Sequence, residues 1–312
     1  MIEKERFPVS EYSWIERNGF APWAAALLWL VVVFVLFQLL SALFIVIFLA
    51  LKEGSADLLS IMQQLGSELN LLFIVNSAGQ ILMMGLATFL IVRLHAATGT
   101  QREFLRLGWK PKTAGFIFGG LLLILAVQPL VIWIGYINSL LPVPESITAL
   151  QESQLEMIRD FLMQDGVLLF ALFAVAVVPG VCEEVLFRGY ILRAFEKSWG
   201  IIVAIVVSGF VFGLFHLQIA NLLPLAALGM VLGLMTWLSG SIWPAVAAHF
   251  MNNAMAVVAG TFYPELFFRE LSPEFLPPLW LVIPATLVAV AIVYVMIQRS
   301  ENIEPKEHAE RS

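Results

Sequence analysis

The chain is short of charge, cysteine and histidine. Only 13% of its residues are charged and 60% are hydrophobic, with a mean hydropathy of +0.90. A soluble domain carries about 25% charged and about 45–50% apolar residues. This composition cannot cover a water-facing surface, so the bilayer is the expected solvent for much of the chain. The net charge of -6 is small and scattered over the links, and leaves no basic face for nucleic acid. The single cysteine, Cys182, excludes an intrachain disulfide and a cysteine-pair metal site. Lying in an apolar run, its thiol reads as packing rather than as a nucleophile. There is no HExxH motif. No internal repeat is visible, which counts against an inverted-repeat transporter. The first apolar run, near 21–51, is too long for a signal-peptide core and lacks a short basic leader. It is expected to be an uncleaved first span.

What is present is a series of apolar runs, each near the ~20 residues needed to cross a bilayer. Eight are read, near 22–51, 70–92, 114–138, 167–195, 200–220, 222–239, 241–260 and 277–298. The fold class is therefore all-α, a polytopic membrane protein with a buried polar cavity. Asn221 and Pro224 mark the expected break between the fifth and sixth runs. With the N-terminus inside, only Lys52, Arg159 and Arg269 of the 17 lysines and arginines fall outside. That bias predicts an even number of spans and both termini in the cytoplasm. Between the third and fourth runs, Ile147, Leu150, Leu155, Ile158, Phe161 and Leu162 recur at helical spacing opposite Glu152, Glu156 and Asp160. This predicts either an interfacial helix over 146–164 or an ordinary solvated link. A weaker pattern of the same kind covers 53–68, and 300–312 reads as a polar tail. Gly115/Gly119 and Gly229/Gly233 have the spacing that lets helices approach closely.

Charge at bilayer depth is unfavourable by at least about 2.5–3.5 kcal/mol per group on insertion scales. The chain nevertheless keeps Glu183, Glu184 and Arg188 in the fourth run, His216 in the fifth, and His249 and Asn253 in the seventh. Pro179 and Gly180 are expected to kink or loosen the helix just before the carboxylates. Adjacent helical residues point about 100° apart, so the two glutamates are expected to divide their roles. Glu184 and Arg188 stand at i and i+4 in the favoured ion-pair order, which leaves Glu183 as the candidate general base or acid. His249 and Asn253, also at i and i+4, share a face. Asn252 is the alternative amide. If the three faces converge, they bring together a carboxylate, two imidazoles and a carboxamide, a set able to activate water and hold an oxyanion.

At these residues the sequence resembles the CPBP intramembrane proteases, which include the type II CAAX prenyl proteases and bacterial bacteriocin-processing and self-immunity proteins. Glu183, Glu184 and Arg188 match the family's EExxxR motif, Phe212 and His216 its FxxxH motif, and His249 and Asn253 its HxxxN motif. The resemblance covers roughly 168–258. It divides the chain into N-terminal spans and amphipathic links (1–166), a catalytic helical core (167–260), and a last span with a polar tail (261–312). It implies an intramembrane endopeptidase that hydrolyses a peptide bond of a peptide or membrane-protein substrate. Glu183 would activate water with help from His216. His249 and Asn253 would hold the oxyanion, and Glu184, Arg188 and Phe212 would support the site. Glu183, His216 and His249 also form a His₂Glu set that suits zinc, so both a metalloprotease and a metal-free glutamate protease are open. If the fourth helix runs on to about Phe195, the site lies near mid-membrane, expected to be reached from the cytoplasmic side. Two other readings compete. One is a transporter or channel with a proton relay through the same residues. The other is a scaffold with an inactive site.

Overall fold

The computed structural model describes residues 13–53, 68–96 and 100–300. Among these there is no strand, and eight long helices occupy the eight expected runs. They are α1 Pro22–Glu53, α2 Leu69–Leu94, α3 Thr113–Ser139, α4 Leu168–Trp199, α5 Ile201–Phe215, α6 Leu222–Ser239, α7 Trp243–Phe262 and α8 Leu279–Arg299. Six of them are long and apolar enough to cross a membrane. The other two are α5, with only 15 residues, and α7, which is interrupted by His249, Asn252 and Asn253. Eight crossings were expected, and six qualify by length and composition. Of the cluster, His249 and Asn253 lie in α7, and His216 directly follows α5. The chain is an all-α integral membrane protein.

At ~1.5 Å per residue, α5 spans about 22 Å, less than the ~30 Å hydrocarbon core. It stops early because Leu217 has a φ of 54°, outside the right-handed helical region. The break is thus at 216–218, upstream of Asn221 and Pro224. The helix α4 does continue past Arg188, as far as Trp199.

The bundle has two distinct ends. At one, Lys112 Nζ donates to the Arg299 carbonyl, Ser300 Oγ to the Leu238 carbonyl and Trp243 Nε1 to the Leu107 carbonyl. Arg106 and Arg193 pair there with Glu196 at 2.9 and 2.8 Å. At the other end, Asn138 clamps the 216–221 link. Its Nδ2 donates to the Ile219 carbonyl, and its Oδ1 accepts from the Leu223 N–H, both at 2.8 Å. The expected link helix forms over Glu145–Leu162 at this second end. Phe161 and Leu162 are buried, with Phe161 stacked on Phe73, whereas Leu150 and Leu155 stay exposed. The weaker pattern at 53–68 and the polar tail lie almost wholly outside the described residues.

The middle of α4 is not a uniform α-helix. Two π-helical stretches, Leu172–Val177 and Val185–Ile191, flank the α-helical turn Val178–Glu184. Such bulges occur where the i→i−4 ladder is interrupted. Pro179 has no N–H to give the Val175 carbonyl four residues back, so that acceptor is left for another donor. Gly180 faces α7 so closely that a Cβ there would sit 3.3 Å from Phe250 N. Proline and glycine together therefore bring α7 against α4.

The α5–α6 contact is tighter still. A Cβ on Gly229 would lie 2.9 Å from Gly209 Cα, and one on Gly209 would lie 2.6 Å from Met230 Cγ. Gly119 has ordinary room, 3.7 Å from Met296. Overpacking typically destabilises by about 1–3 kcal/mol. We expect Gly209→Val to lower the thermal unfolding midpoint in detergent clearly and Gly119→Ala to leave it near wild type. Equal midpoints for the two variants would refute this account of the packing.

Candidate active site

The three predicted faces converge. Glu183 Oε2 lies 3.8 Å from His216 Nε2 and 4.0 Å from His249 Nε2. Glu183, Glu184, Arg188 and His249 are buried and His216 is partly buried. Glu184 turns away from Glu183 and does two things. Its Oε1 accepts from Arg188 Nη1 at 2.8 Å and from His249 Nδ1 at 2.8 Å. Arg188 also donates from Nη2 to the Gly229 carbonyl. Its guanidinium carbon lies 4.3 Å from the Phe212 ring centroid. The Phe212 ring packs edge-on against His216 and His249, at 4.7 and 5.8 Å between centroids. Phe212 thus touches both imidazoles and the cation that holds Glu184.

The histidine tautomers follow from their partners. His216 Nδ1 is 2.8 Å from the Phe212 carbonyl, which can only accept. His249 Nδ1 faces a carboxylate oxygen that also accepts from Arg188. Both Nδ1 atoms therefore carry hydrogen, and both Nε2 atoms face Glu183. In the neutral imidazoles, two nitrogen lone pairs and Glu183 Oε2 are directed toward a common region. Glu183 Oε2 is buried without a hydrogen-bond partner among the described residues.

Beside these atoms is a cavity of about 40 Å³, lined by Phe212, His216, His249, Asn252 and Asn253 among others. A single water needs about 10–15 Å³ by a comparable measure, so the cavity has room for water. Asn253 Nδ2 donates to the Val175 carbonyl at 3.0 Å, the acceptor that Pro179 leaves free. Asn252 Nδ2 donates in turn to Asn253 Oδ1 at 3.1 Å. Both amides line the cavity, with Asn253 anchored to α4 and Asn252 one step further out.

The cavity adjoins a larger groove of about 500 Å³ that shares Leu225, Leu228 and Asn252 with it. The groove is also lined by Gln218, Asn221 and Phe267, so it lies at the end of the bundle formed by the 216–221 link. That is the end opposite Arg106, Lys112, Arg193 and Arg299. Entry from the cytoplasmic, basic side was expected, and the groove lies at the other end. The link that follows α5 contributes Gln218 and Asn221 to its wall.

As placed, no group of three His, Cys, Asp or Glu among the described residues is spaced to hold a metal ion. The donor types suit zinc, but 3.8 and 4.0 Å exceed the edge of about 3.3 Å that zinc–ligand distances give a tetrahedral site.

Cys182 is buried in an apolar cluster with Met83 and Met84. His95, outside the spans, is held by Tyr190 Oη at 2.6 Å, and burial pushes it down to about 4. It is a neutral packing residue. Gln128 on α3 was missed by the sequence reading, although an amide within an apolar run is itself a signal. Its Nε2 donates to the Asn252 Oδ1 at 3.1 Å.

Arg188 is the only cation that Glu184 touches apart from the histidine, among the described residues. Removing one member of a buried pair typically costs about 3–5 kcal/mol. Arg188→Met is expected to destabilise the protein by that order, read by denaturant or thermal unfolding in detergent. Wild-type stability would show that the pair does not hold the site together.

Residues 165–255 match the family model described as type II CAAX prenyl endopeptidase, Rce1-like. No curated protein and no solved structure matches the chain. The matched segment runs from the start of α4 into α7 and contains all three motifs. That segment is similar to the type II CAAX prenyl endopeptidases.

Proposed function

We propose that the chain hydrolyses a peptide bond within the membrane by glutamate-activated water. The observation that carries this reading is the convergence of Glu183 Oε2 with the Nε2 atoms of His216 and His249, at 3.8 and 4.0 Å, beside a water-sized cavity. Glu183 accepts a proton from water as its oxygen adds to the peptide carbonyl. His216 Nε2, beside Glu183, assists that transfer, and the proton then passes to the leaving amine. Asn253 keeps one N–H for the oxyanion, because the other is held by Val175. His249 donates there from Nε2 only in its doubly protonated imidazolium form, because its Nδ1–H is committed to Glu184. Glu184, Arg188 and Phe212 fix that imidazole. An oxyanion donor is typically worth about 2.7–4 kcal/mol.

The groove supports a peptide or membrane-protein segment as substrate. Its walls combine amides such as Gln128, Gln218 and Asn221 with apolar residues such as Met255, and no charged residue lines it. This favours an extended, uncharged segment.

Zinc is a second reading of the same atoms. It is favoured by the held Nδ1 hydrogens, which resemble the outer hydrogen bonds of metal-bound histidines. Glu183, His216 and His249 would be the ligands after small side-chain shifts, and zinc would acidify a water and polarise the carbonyl.

Purified protein should cleave a quenched peptide substrate, and Glu183→Ala, His216→Ala and His249→Ala should each reduce turnover to background. Retained activity in all three would end the protease reading and leave the transporter and scaffold readings. Metal analysis of active protein separates the two versions, since full turnover after chelation excludes zinc.

The basic residues at the opposite end support a groove that opens outside the cytoplasm. Cys182 is buried, so single introduced thiols can report the orientation. Asn221→Cys should react with an impermeant maleimide on intact cells, and Lys112→Cys only after permeabilisation. The reverse pattern would invert the proposed topology.

A further inference from the structure

The amide chain beside the cavity has a direction, and Gln128 sets it. Gln128 Nε2 donates to the Ile124 carbonyl at 3.0 Å and to Asn252 Oδ1 at 3.1 Å. Asn252 Nδ2 then donates to Asn253 Oδ1 at 3.1 Å, and Asn253 Nδ2 donates to the Val175 carbonyl at 3.0 Å. Both ends of this relay are backbone carbonyls, which can only accept. Turning over any one amide would bring oxygen against oxygen or N–H against N–H. The three carboxamides are therefore locked in one sense, with the nitrogen of Asn253 toward α4 and the cavity.

The last acceptor exists because Pro179 cannot serve it. The first donor comes from α3, outside the matched segment 165–255. Gln128 is half-buried and lines the groove, while Asn252 lines both groove and cavity.

We propose that Gln128 is a positioning residue that fixes the amide plane of Asn253 through Asn252, so that the free N–H of Asn253 is held toward the oxyanion. This rests on the protease reading above. Without Gln128, Asn252 keeps only the Asn253 Oδ1 acceptor to hold it, so its amide plane can swing away from that oxygen. Asn253 Oδ1 would then lose its own donor, and the oxyanion N–H would no longer be held. The chemistry predicts an effect on turnover through Asn252 and Asn253, separate from the place of Gln128 in the groove wall.

The test is steady-state kinetics on Gln128→Leu, Asn252→Leu, the double variant and Gln128→Glu. Misplacement of a catalytic group by about 1 Å can cost about 10²-fold. A fall of that order in kcat is expected for Gln128→Leu, and the double variant should have a kcat no lower than Asn252→Leu alone. Gln128→Glu adds a readout that a packing role would not give. A protonated carboxyl can donate to Asn252 and an ionised one cannot. Its kcat should therefore approach wild type at acidic pH and fall as the introduced carboxyl ionises, reversibly in one folded preparation. A change in KM alone, or a Gln128→Glu profile parallel to wild type, would overturn the proposal. Side-chain amide NMR of ¹⁵N-Asn protein, with Asn253→Ala for assignment, reads the relay without turnover. The Asn253 signals should move in Gln128→Leu, and unmoved signals would overturn the relay. If wild type cleaves nothing while the signals still move, the protease reading fails and the relay stands.

Discussion

The site depends on one oxygen atom. Glu184 Oε1 accepts from Arg188 and from His249, each at 2.8 Å, with no solvent exposure at Glu184. A buried carboxylate shared by two donors fixes both. Arg188 is tied in turn to the Gly229 carbonyl of α6, and its face is covered by Phe212 of α5. Four helices, α4 to α7, therefore meet on this one ion pair. Coulomb attraction is strong here because the surroundings are dry. Desolvation of both ions offsets much of that gain. What the pair supplies is orientation, by setting the imidazole of His249 so that its Nε2 faces Glu183.

The adjacency of the two glutamates then makes physical sense. Consecutive helical residues point about 100° apart, so one can serve the interior pair while the other faces His216 and His249. This division was legible from spacing alone, as were the eight helices and the shared face of His249 and Asn253. Hydropathy reports where a chain leaves water, and i,i+4 spacing reports which side chains share a face. Neither reports a backbone that departs from the α pattern. The π-helical stretches around Glu183, the left-handed Leu217 that ends α5, and the Gly209–Gly229 approach all depend on neighbours from other helices. Gln128 was overlooked for a related reason. One amide in a 27-residue helix has no periodic partner, and its partner Asn252 comes from a distant segment.

Pro179 connects these levels. In sequence it reads as a helix breaker. In the bundle its missing N–H leaves the Val175 carbonyl as an acceptor inside a low-dielectric region, where an unmet acceptor is unfavourable. Asn253 meets it and is thereby held against α4. The adjacent Gly180 allows the backbone of α7 to come close enough for that bond. A local defect in one helix thus becomes the docking point of the next. This is also why the helix bearing Asn253 can carry three polar side chains at bilayer depth. Asn252 and Asn253 satisfy one another and end on backbone carbonyls, and His249 ends on Glu184.

The same reasoning bears on how water reaches a site enclosed by apolar helices. A hydrolase needs both water and an extended peptide to enter. Ending α5 at Phe215 places His216 at the helix terminus, next to the open link. The link is still held in place, because Asn138 binds it from both sides with its carbonyl and its amide. The basic end is tied by Arg106, Arg193 and Glu196, and by Ser300 on Leu238, and the groove lies at the opposite end. The charge bias and the position of the groove are independent observations. Together they support the proposed entry of water and substrate from the end opposite Arg106, Arg193 and Arg299.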